Sequence, residues 1–325
     1  MKYVKLGRSG LIISRMALGT MNFGAGTDRA ESFRMMEHAH EAGINFFDTG
    51  IRYGGEGEYG FGATEEIIGD WFAQGGGRRE RTVLSTKVFQ ATDSWPNNEG
   101  LSALNIRRAC DHSLRRLRTD YLDVFQLHHV DRNTPWEEIW QALDVLVSQG
   151  KIIYAGSSNF AGWHIARAQS VAESRHLLGF VCEQSLYNLM VRDIEREVLP
   201  AAEAFGMGVL TWSPLNGGLL GGVLRKEREG RARRTGWAAH TVDRHRPTLQ
   251  AYEDLCQEGG FEPAVLAIAW QLHQPSITAP VIGPRSVAQL QETLPALDVS
   301  LSDEVLDRLE GIFPGHRTAP EAYAW

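Results

Sequence analysis

The chain of 325 residues is short of several things, and each shortage removes a class of protein. Its three cysteines, Cys110, Cys182 and Cys256, are odd in number and far apart, so neither a disulfide framework nor a zinc knuckle fits. No apolar run approaches the ~18–20 residues a membrane span needs. The segment Met1 to Gly10 lacks an apolar core of signal-peptide length, and Arg15 interrupts the apolar stretch that follows. Basic residues are outnumbered, 33 Lys+Arg against 40 Asp+Glu, and the net charge of −7 argues against nucleic acid as the main partner. A Pro/Ser-rich linker, a low-complexity tract and the GxSxG nucleophile elbow are all missing. What remains is 43% apolar and 22% charged, close to a soluble average. A cytoplasmic protein is expected, in one large domain or two ordinary ones, since closed α/β barrels reach ~250 residues as one unit.

What is present is a repeat of strand and helix. Strands are predicted at Met16–Thr20, Asn45–Asp48, Thr82–Lys87, Leu122–His128, Ile152–Ser157, Phe180–Gln184, Gly208–Trp212 and Thr278–Ile282. Between them apolar residues recur at helical spacing, as in Phe33, Met36, His40 or Ile139, Leu143, Leu146. Asp28 with Glu31 reads as a helix N-cap, and Thr134-Pro135-Trp136-Glu137 as a capping box with Pro at the first helical position. With no break in composition, the pattern predicts a single (β/α)8 TIM barrel over residues 1–325. Two segments stand outside the repeat. Lys2–Ile13, with the turn Gly7-Arg8-Ser9-Gly10, predicts a β-hairpin capping one barrel end. Asn216–Arg246 predicts a long Gly- and Arg-rich loop.

The strand ends carry the functional signal. Buried parallel strands normally read as continuous Val, Ile and Leu. Here successive strands end in Asp48, Lys87 and His128, run into Ser158-Asn159, and end in Gln184 and Trp212. In a closed barrel these ends converge on one face, where barrel enzymes place their chemistry. Singly, each has a bland account as a cap, a surface charge or a bonded core histidine, and only the shared location weighs against it. Tyr53, five residues past Asp48, joins the same face. His129 follows His128, and adjacent strand residues point to opposite faces, so one of the pair faces the site. The two histidines with Asp131 or Asp123 lack further ligands at supporting spacing, so no metal is expected. The literal GxGxxG at Gly55–Gly60 begins past Tyr53 and is set apart from any helix signal. It therefore reads as an active-site loop rather than a dinucleotide fingerprint.

These motifs, in this order, resemble the aldo-keto reductase superfamily over nearly the whole chain. They are Leu18-Gly19-Thr20-Met21, Gly43 to Thr49 leading to Tyr53-Gly54, Ser85-Thr86-Lys87, Gln126-Leu127-His128, Gly156 to Phe160, Gln184 to Asn188, Trp212-Ser213-Pro214-Leu215 and Gly283-Pro284-Arg285. The resemblance implies an NADPH-dependent oxidoreductase that reduces a small-molecule carbonyl, with Tyr53 as general acid beside Asp48, Lys87 and His128. A phenol of pKa ~10 is a poor acid at neutral pH. A lysine ammonium beside it favours the phenolate, and an aspartate compensates the buried lysine.

The resemblance further implies NADP(H) bound without a Rossmann fold. Thr20 and Met21 line the site, Ser158, Asn159 and Gln184 hold the carboxamide, and Trp212 stacks on the nicotinamide. Ser213, Pro214, Leu215 and Gly217 border the pyrophosphate, Gly283 also belongs to the cofactor site, and Arg285 meets the 2′-phosphate with Gln289 and Glu292 toward the adenine. Thr293 stands where the family often has Asn. Arg225–Arg246 holds eight Lys/Arg against three Asp/Glu and reads either as a solvated loop or as a flap drawn to cofactor phosphates. Substrate choice is expected in Phe23–Gly26, Arg52–Phe61, Phe89–Leu101 with Trp95, and the tail Ile312–Trp325, whose ending Ala319 to Trp325 resembles that of a bacterial branch with some members acting on nucleotide-linked deoxysugars. The ring of Tyr59, Phe61, Phe89, Trp95 and Trp212 suits a flat carbonyl compound or a keto-sugar. Potassium-channel β subunits are similar over the same motifs, so a nucleotide-binding regulatory module is the alternative. Helix-face apolar residues do not separate core from interface, and the sequence leaves the oligomeric state open.

Overall fold

A computed structural model describes residues 1–57, 60–230 and 241–324. The chain opens with an antiparallel hairpin, β1 (Tyr3–Lys5) and β2 (Ile12–Ser14). The repeat follows as β3 (Ala17–Gly19), α1 (Arg29–Glu41), β4 (Phe46–Asp48), a small hairpin of β5 (Glu56–Gly57) and β6 (Gly60–Phe61), then α2 (Ala63–Phe72) and β7 (Val83–Val88). It continues with α3 (Ala103–Leu117), β8 (Leu122–Leu127), α4 (Trp136–Ser148), β9 (Ile152–Ser158), α5 (Gly162–Ser174) and β10 (Phe180–Leu186). The remaining barrel elements are α6 (Val198–Ala204), β11 (Gly208–Trp212) and β12 (Ala279–Ile282), with helices Arg246–Gly259 and Pro263–His273 between the last two strands. Strands β3, β4, β7, β8, β9, β10, β11 and β12 pair in that order and close into a parallel (β/α)8 barrel. Among the described residues no helix is long and apolar enough to cross a membrane.

The barrel interior is apolar at its lower end. Leu6 and Ile13 from the hairpin pack with Ala17, Phe46, Val124, Val181, Leu210, Ala279 and Val281. Leu6 and Ile13 are fully buried, and each such side chain contributes about 1.5–3 kcal/mol relative to exposure. Gly7 makes the hairpin's approach possible. Its φ is +56°, and a Cβ there would lie 2.5 Å from the Gly208 nitrogen. A larger cluster fills the layer between strands and helices, including Met36 of α1 and Ile139, Leu143 and Leu146 of α4.

The caps agree with the sequence in one place and differ in another. Asp28 caps α1 by accepting from the Glu31 N–H at 2.8 Å. At α4 the expected capping box does not form, because Pro135 is the cap residue and has no side-chain acceptor. Thr134 Oγ1 instead donates to Asp131 Oδ2 at 2.8 Å, and that carboxylate also accepts the Leu101 and Asn133 N–H groups. The loop's own closure outcompetes the cap.

The predicted long loop is also partly helical. Residues Asn216–Gly221 form 3-10 turns and Val223–Arg228 a short helix, capped by the Glu253 carboxylate through the Leu224 and Arg225 N–H groups. Leu219, Leu224, Val242 and Leu249 bury one another there. The expected flap depends on residues 231–240, which lie outside the described residues.

Candidate active site

Barrel register brings the polar strand ends together. Asp48 pairs with Ser85, Lys87 with Gln126 and Ser158 with Gln184. Asp48 and Lys87 are buried, and Lys87 is fully so. Lys87 Nζ donates to Asp48 Oδ2 at 2.5 Å and to the Thr49 carbonyl at 2.8 Å. The second Asp48 oxygen accepts from Gln184 Nε2 at 2.8 Å and from Gln126 Nε2 at 3.2 Å. A buried ion pair survives only when its remaining lone pairs and protons are bonded, and these two glutamines do that for Asp48. Gln126 also donates to Ser85 Oγ at 2.5 Å.

Tyr53 reaches this cluster from a turn after β4. Its ring lies over Gly50, where a Cβ would come within 3.1 Å. Lys87 Nζ stands 5.1 Å from the ring centroid, and Tyr53 Oη is 3.5 Å from His128 Nε2. That last separation is at the outer limit of a hydrogen bond, so the two polar atoms face one gap. Burial raises the Tyr53 phenol above its usual range, Lys87 pulls against this, and Asp48 adds to it. Lys87 therefore favours the phenolate as expected, but burial outweighs it in the resting site, and the hydroxyl stays protonated. For Lys87, burial pulls downward, but Asp48 and Tyr53 outweigh it and leave the amine above its usual range. His128 is pushed down to about 3 by burial, Lys87 and His129, so the imidazole is neutral.

The two histidines do not alternate as a strand would have them. Strand β8 stops at Leu127, so His128 and His129 lie beyond the pleat. Their rings stack 5.0 Å apart at 4°, with Phe89 edge-on to His129 at 5.4 Å. Strand β10 likewise runs past Gln184 to Leu186.

The residues proposed for a nucleotide extend from this cluster. Thr20 is buried and donates to the Asp48 carbonyl at 2.9 Å, while Met21 is exposed beside it. Ser158 Oγ donates to the Gln184 carbonyl at 2.8 Å. Asn159, at φ +60°, donates to the His128 carbonyl at 3.0 Å and accepts from Trp212 Nε1 at 2.9 Å. Trp212 is 37% exposed although every other residue of its strand is buried. Ser213, Pro214 and Leu215 lead into Gly217 and Gly218, both at positive φ, and a Cβ on Gly218 would meet nothing within 4 Å. Gly283 is exposed, its carbonyl accepting from Asn22 at 3.0 Å.

Arg285 sits beside Gly26, 4.0 Å from where a Cβ would be, and its guanidinium has no bonded partner among the described residues. Gln289 is committed to the Arg285 N–H at 2.8 Å. Glu292 is exposed on the following helix, whereas Thr293 is buried and bonds back to the Leu290 carbonyl. Trp212 offers an exposed ring, Gly218 a backbone open to close approach, and Arg285 a guanidinium with no bonded partner among the described residues. In the flap segment, Arg225 pairs with Glu262 at 2.7 Å and Arg246 with Asp243 at 2.7 Å.

Around the mouth, Arg52 lies over Phe61 at 4.2 Å, Trp95 is exposed, and residue 59 lies outside the described residues. The tail is fastened to the loop after β10, with Arg192 donating to the Phe313 carbonyl at 2.7 Å and Glu195 accepting the His316 N–H at 2.8 Å. A surface hollow of about 410 Å³ between Val130–Glu137 and Trp163–Arg167 touches none of the polar ring. The GxGxxG run brackets the β5–β6 hairpin, with Glu56 opposite Phe61, rather than a strand-to-helix turn.

Two site residues escape a reading of strand ends. Gln126 shares the parity of Val124 inside the barrel, so alternation would have found it. Glu183 is a charge inside an apolar strand, and that interruption was the signal.

A family model described as the Aldo/keto reductase family matches residues 15–313. An uncharacterized oxidoreductase, YrpG, of Bacillus subtilis is 51% identical over 100% of both chains. A probable voltage-gated potassium channel subunit beta of Oryza sativa is 34% identical over 99% of this chain and 100% of its own. Versiconal hemiacetal acetate reductase of Aspergillus parasiticus is 32% identical over 98% of this chain and 100% of its own.

Proposed function

Since the chain belongs to the aldo/keto reductase family, we propose that it works as one domain in the cytoplasm, reducing a small carbonyl compound to an alcohol with NADP(H). The observation that carries this reading is the gap between Tyr53 Oη and His128 Nε2, with the Lys87–Asp48 pair beneath the tyrosine ring. When bound, a reduced nicotinamide supplies the hydride that goes to the carbonyl carbon.

The chain's own groups manage the oxygen. His128, neutral, donates to the carbonyl oxygen and orients it. Tyr53 is protonated at rest and gives its proton to that oxygen as negative charge develops there. The phenolate left behind is stabilised by the Lys87 ammonium, an interaction that strengthens only as the proton moves. Asp48, bonded by Gln126 and Gln184, keeps that ammonium in place. Ser158, Asn159 and Gln184 would hold the carboxamide, Trp212 the ring face, Ser213 to Gly217 the pyrophosphate, and Arg285 the 2′-phosphate. The unpaired Arg285 guanidinium supports NADP(H) over NAD(H). Gln289 is bound to the Arg285 backbone, so Glu292 is the freer group for the adenine.

The exposed Trp95 and Trp212 and the reductase names of fungal relatives support a flat carbonyl substrate, with a keto-sugar as a further candidate. The second reading, a nucleotide-binding regulatory module, rests on the likeness to the rice channel subunit over 99% of the chain. NADPH oxidation across a panel of aldehydes, ketones and keto-sugars, with NADH for comparison, separates the two. Turnover that favours NADPH supports the reductase. Tight nucleotide binding without turnover on any carbonyl supports the module.

A further inference from the structure

Glu183 is a carboxylate in an unusual place. It sits in the middle of β10 and is fully buried. Its neighbour Gln184 points into the barrel toward Asp48, so Glu183 faces outward, beneath the turn that follows β9. Among the described residues no cation lies within ion-pair distance of it. Hydrogen-bond donors alone hold it: Ser157 Oγ at 2.5 Å on one oxygen, and Ser185 Oγ at 2.7 Å with the Phe160 N–H at 3.1 Å on the other. Burying an unpaired carboxylate is expensive, and a core position of this kind is ordinarily apolar.

What the carboxylate secures is the turn Ser157–Phe160. Asn159 there adopts φ +60°, a left-handed conformation uncommon for residues with a side chain and taken most readily by Asn. From this turn Ser158 and Asn159 project toward Gln184, His128 and Trp212.

We propose that Glu183 is a positioning residue whose carboxylate holds Ser158 and Asn159 in the shape that receives the nicotinamide carboxamide, so that cofactor affinity follows its protonation state. The inference rests on the nicotinamide reading above. The ionised form accepts every donor around it, whereas the acid must turn one edge into an O–H and release a donor. Burial pushes this carboxyl up to about 7, with Ser157, Ser185, Phe160 and Asn159 pulling the other way.

The charged and titratable groups on the packed elements do not mask that transition. Cys182, on the same strand, is held protonated by burial. His164 at the start of α5 is lowered by burial and by Arg132. Tyr154 on β9, Arg167 and Glu173 on α5, and Glu197 and Glu203 at α6 are the others on neighbouring elements, and β11 carries none. Asp48 and Lys87 lie across the barrel as a closed pair.

Glu183→Gln keeps the shape of the side chain and imitates the neutral acid. The experiment titrates NADPH and NADH binding by fluorescence in parent and variant, over about 1.5 pH units either side of neutrality. The ratio of dissociation constants, variant over parent, cancels titration of the ligand's own phosphate. It is expected to be about three- to tenfold at the alkaline end, the loss of one charged hydrogen bond spread over a turn, and to approach one at the acid end. In turnover the loss falls on the nucleotide KM rather than on kcat. Ser157→Ala removes a donor to the ionised form and moves the midpoint of the affinity profile to higher pH. It carries the test if Glu183→Gln does not fold. A ratio that stays flat with pH, or a midpoint unmoved in Ser157→Ala, overturns the inference alone. Absence of any nucleotide binding by the unsubstituted protein overturns the proposed function, and this inference with it.

Discussion

The two ends of the barrel are built from the same strands by opposite rules. The lower end is dry and apolar, with Leu6 and Ile13 of the hairpin filling the space among Phe46, Val124, Val181 and Leu210. The upper end buries Asp48, Lys87, Gln126, Gln184 and, behind the strands, Glu183. Apolar packing at the lower end gains stability from every contact. At the upper end the charged and amide groups must first offset their own desolvation, and they hold together only as a closed set of hydrogen bonds. The difference teaches where each end is fragile. The lower end tolerates loss of function-neutral volume at a cost in stability, whereas the upper end loses its arrangement when a single partner is removed.

That contrast breaks first at Asp48. Asp48→Ala strands the Lys87 ammonium without its acceptor, so unfolding in urea should show a loss of about 3–5 kcal/mol, and carbonyl turnover should disappear with it. Leu6→Ala at the opposite end should cost a similar or smaller amount, about 2–5 kcal/mol, with kcat/KM unchanged below the melting temperature. A Leu6→Ala protein that lost turnover while still folded would deny the separation of the two ends. Gly7→Ala probes the hairpin's close approach. Strain at the positive φ alone costs about 1–3 kcal/mol, and calorimetry should register it as a lower Tm without an effect on activity.

The smallest expected effect is on acid stability. His40 and His128 are lowered to about 4 and about 3, in each case by burial first. Both are neutral in the fold and bind a proton more readily when unfolded. The stability they contribute is therefore present above the ordinary histidine pKa and declines as pH falls through it toward those values. Glu183, raised to about 7, acts in the opposite direction and loses its contribution as pH rises toward that value. His40→Gln isolates the histidine effect, since denaturation of that variant between neutral and mildly acid pH should depend less on pH than that of the parent. An identical slope in both would deny it.

Much of this division was legible in the residues. The strand ends Asp48, Lys87, Gln184 and Trp212 stand out because they interrupt apolar runs, and the hairpin announces itself through Gly7-Arg8-Ser9-Gly10. Competition between local and distant partners was not legible. Thr134 abandons the expected cap because Asp131 gathers the loop from several directions. The stacking of His128 on His129 follows from β8 ending one residue earlier than its pattern suggests. The helix Val223–Arg228 exists because Glu253, about thirty positions later, supplies its N-terminal acceptors. The net direction of the Tyr53 pKa depends on how completely the phenol is buried, which spacing does not encode.

The claim that chemistry belongs to the upper end is tested most directly by Tyr53→Phe, which removes one oxygen atom and leaves the ring over Gly50. NADPH oxidation with the best carbonyl substrate should fall by about 10²–10⁴, the usual worth of a positioned general acid, while Tm and NADPH affinity stay at the parent's values. A Tyr53→Phe protein that reduces the carbonyl as fast as the parent would contradict the account.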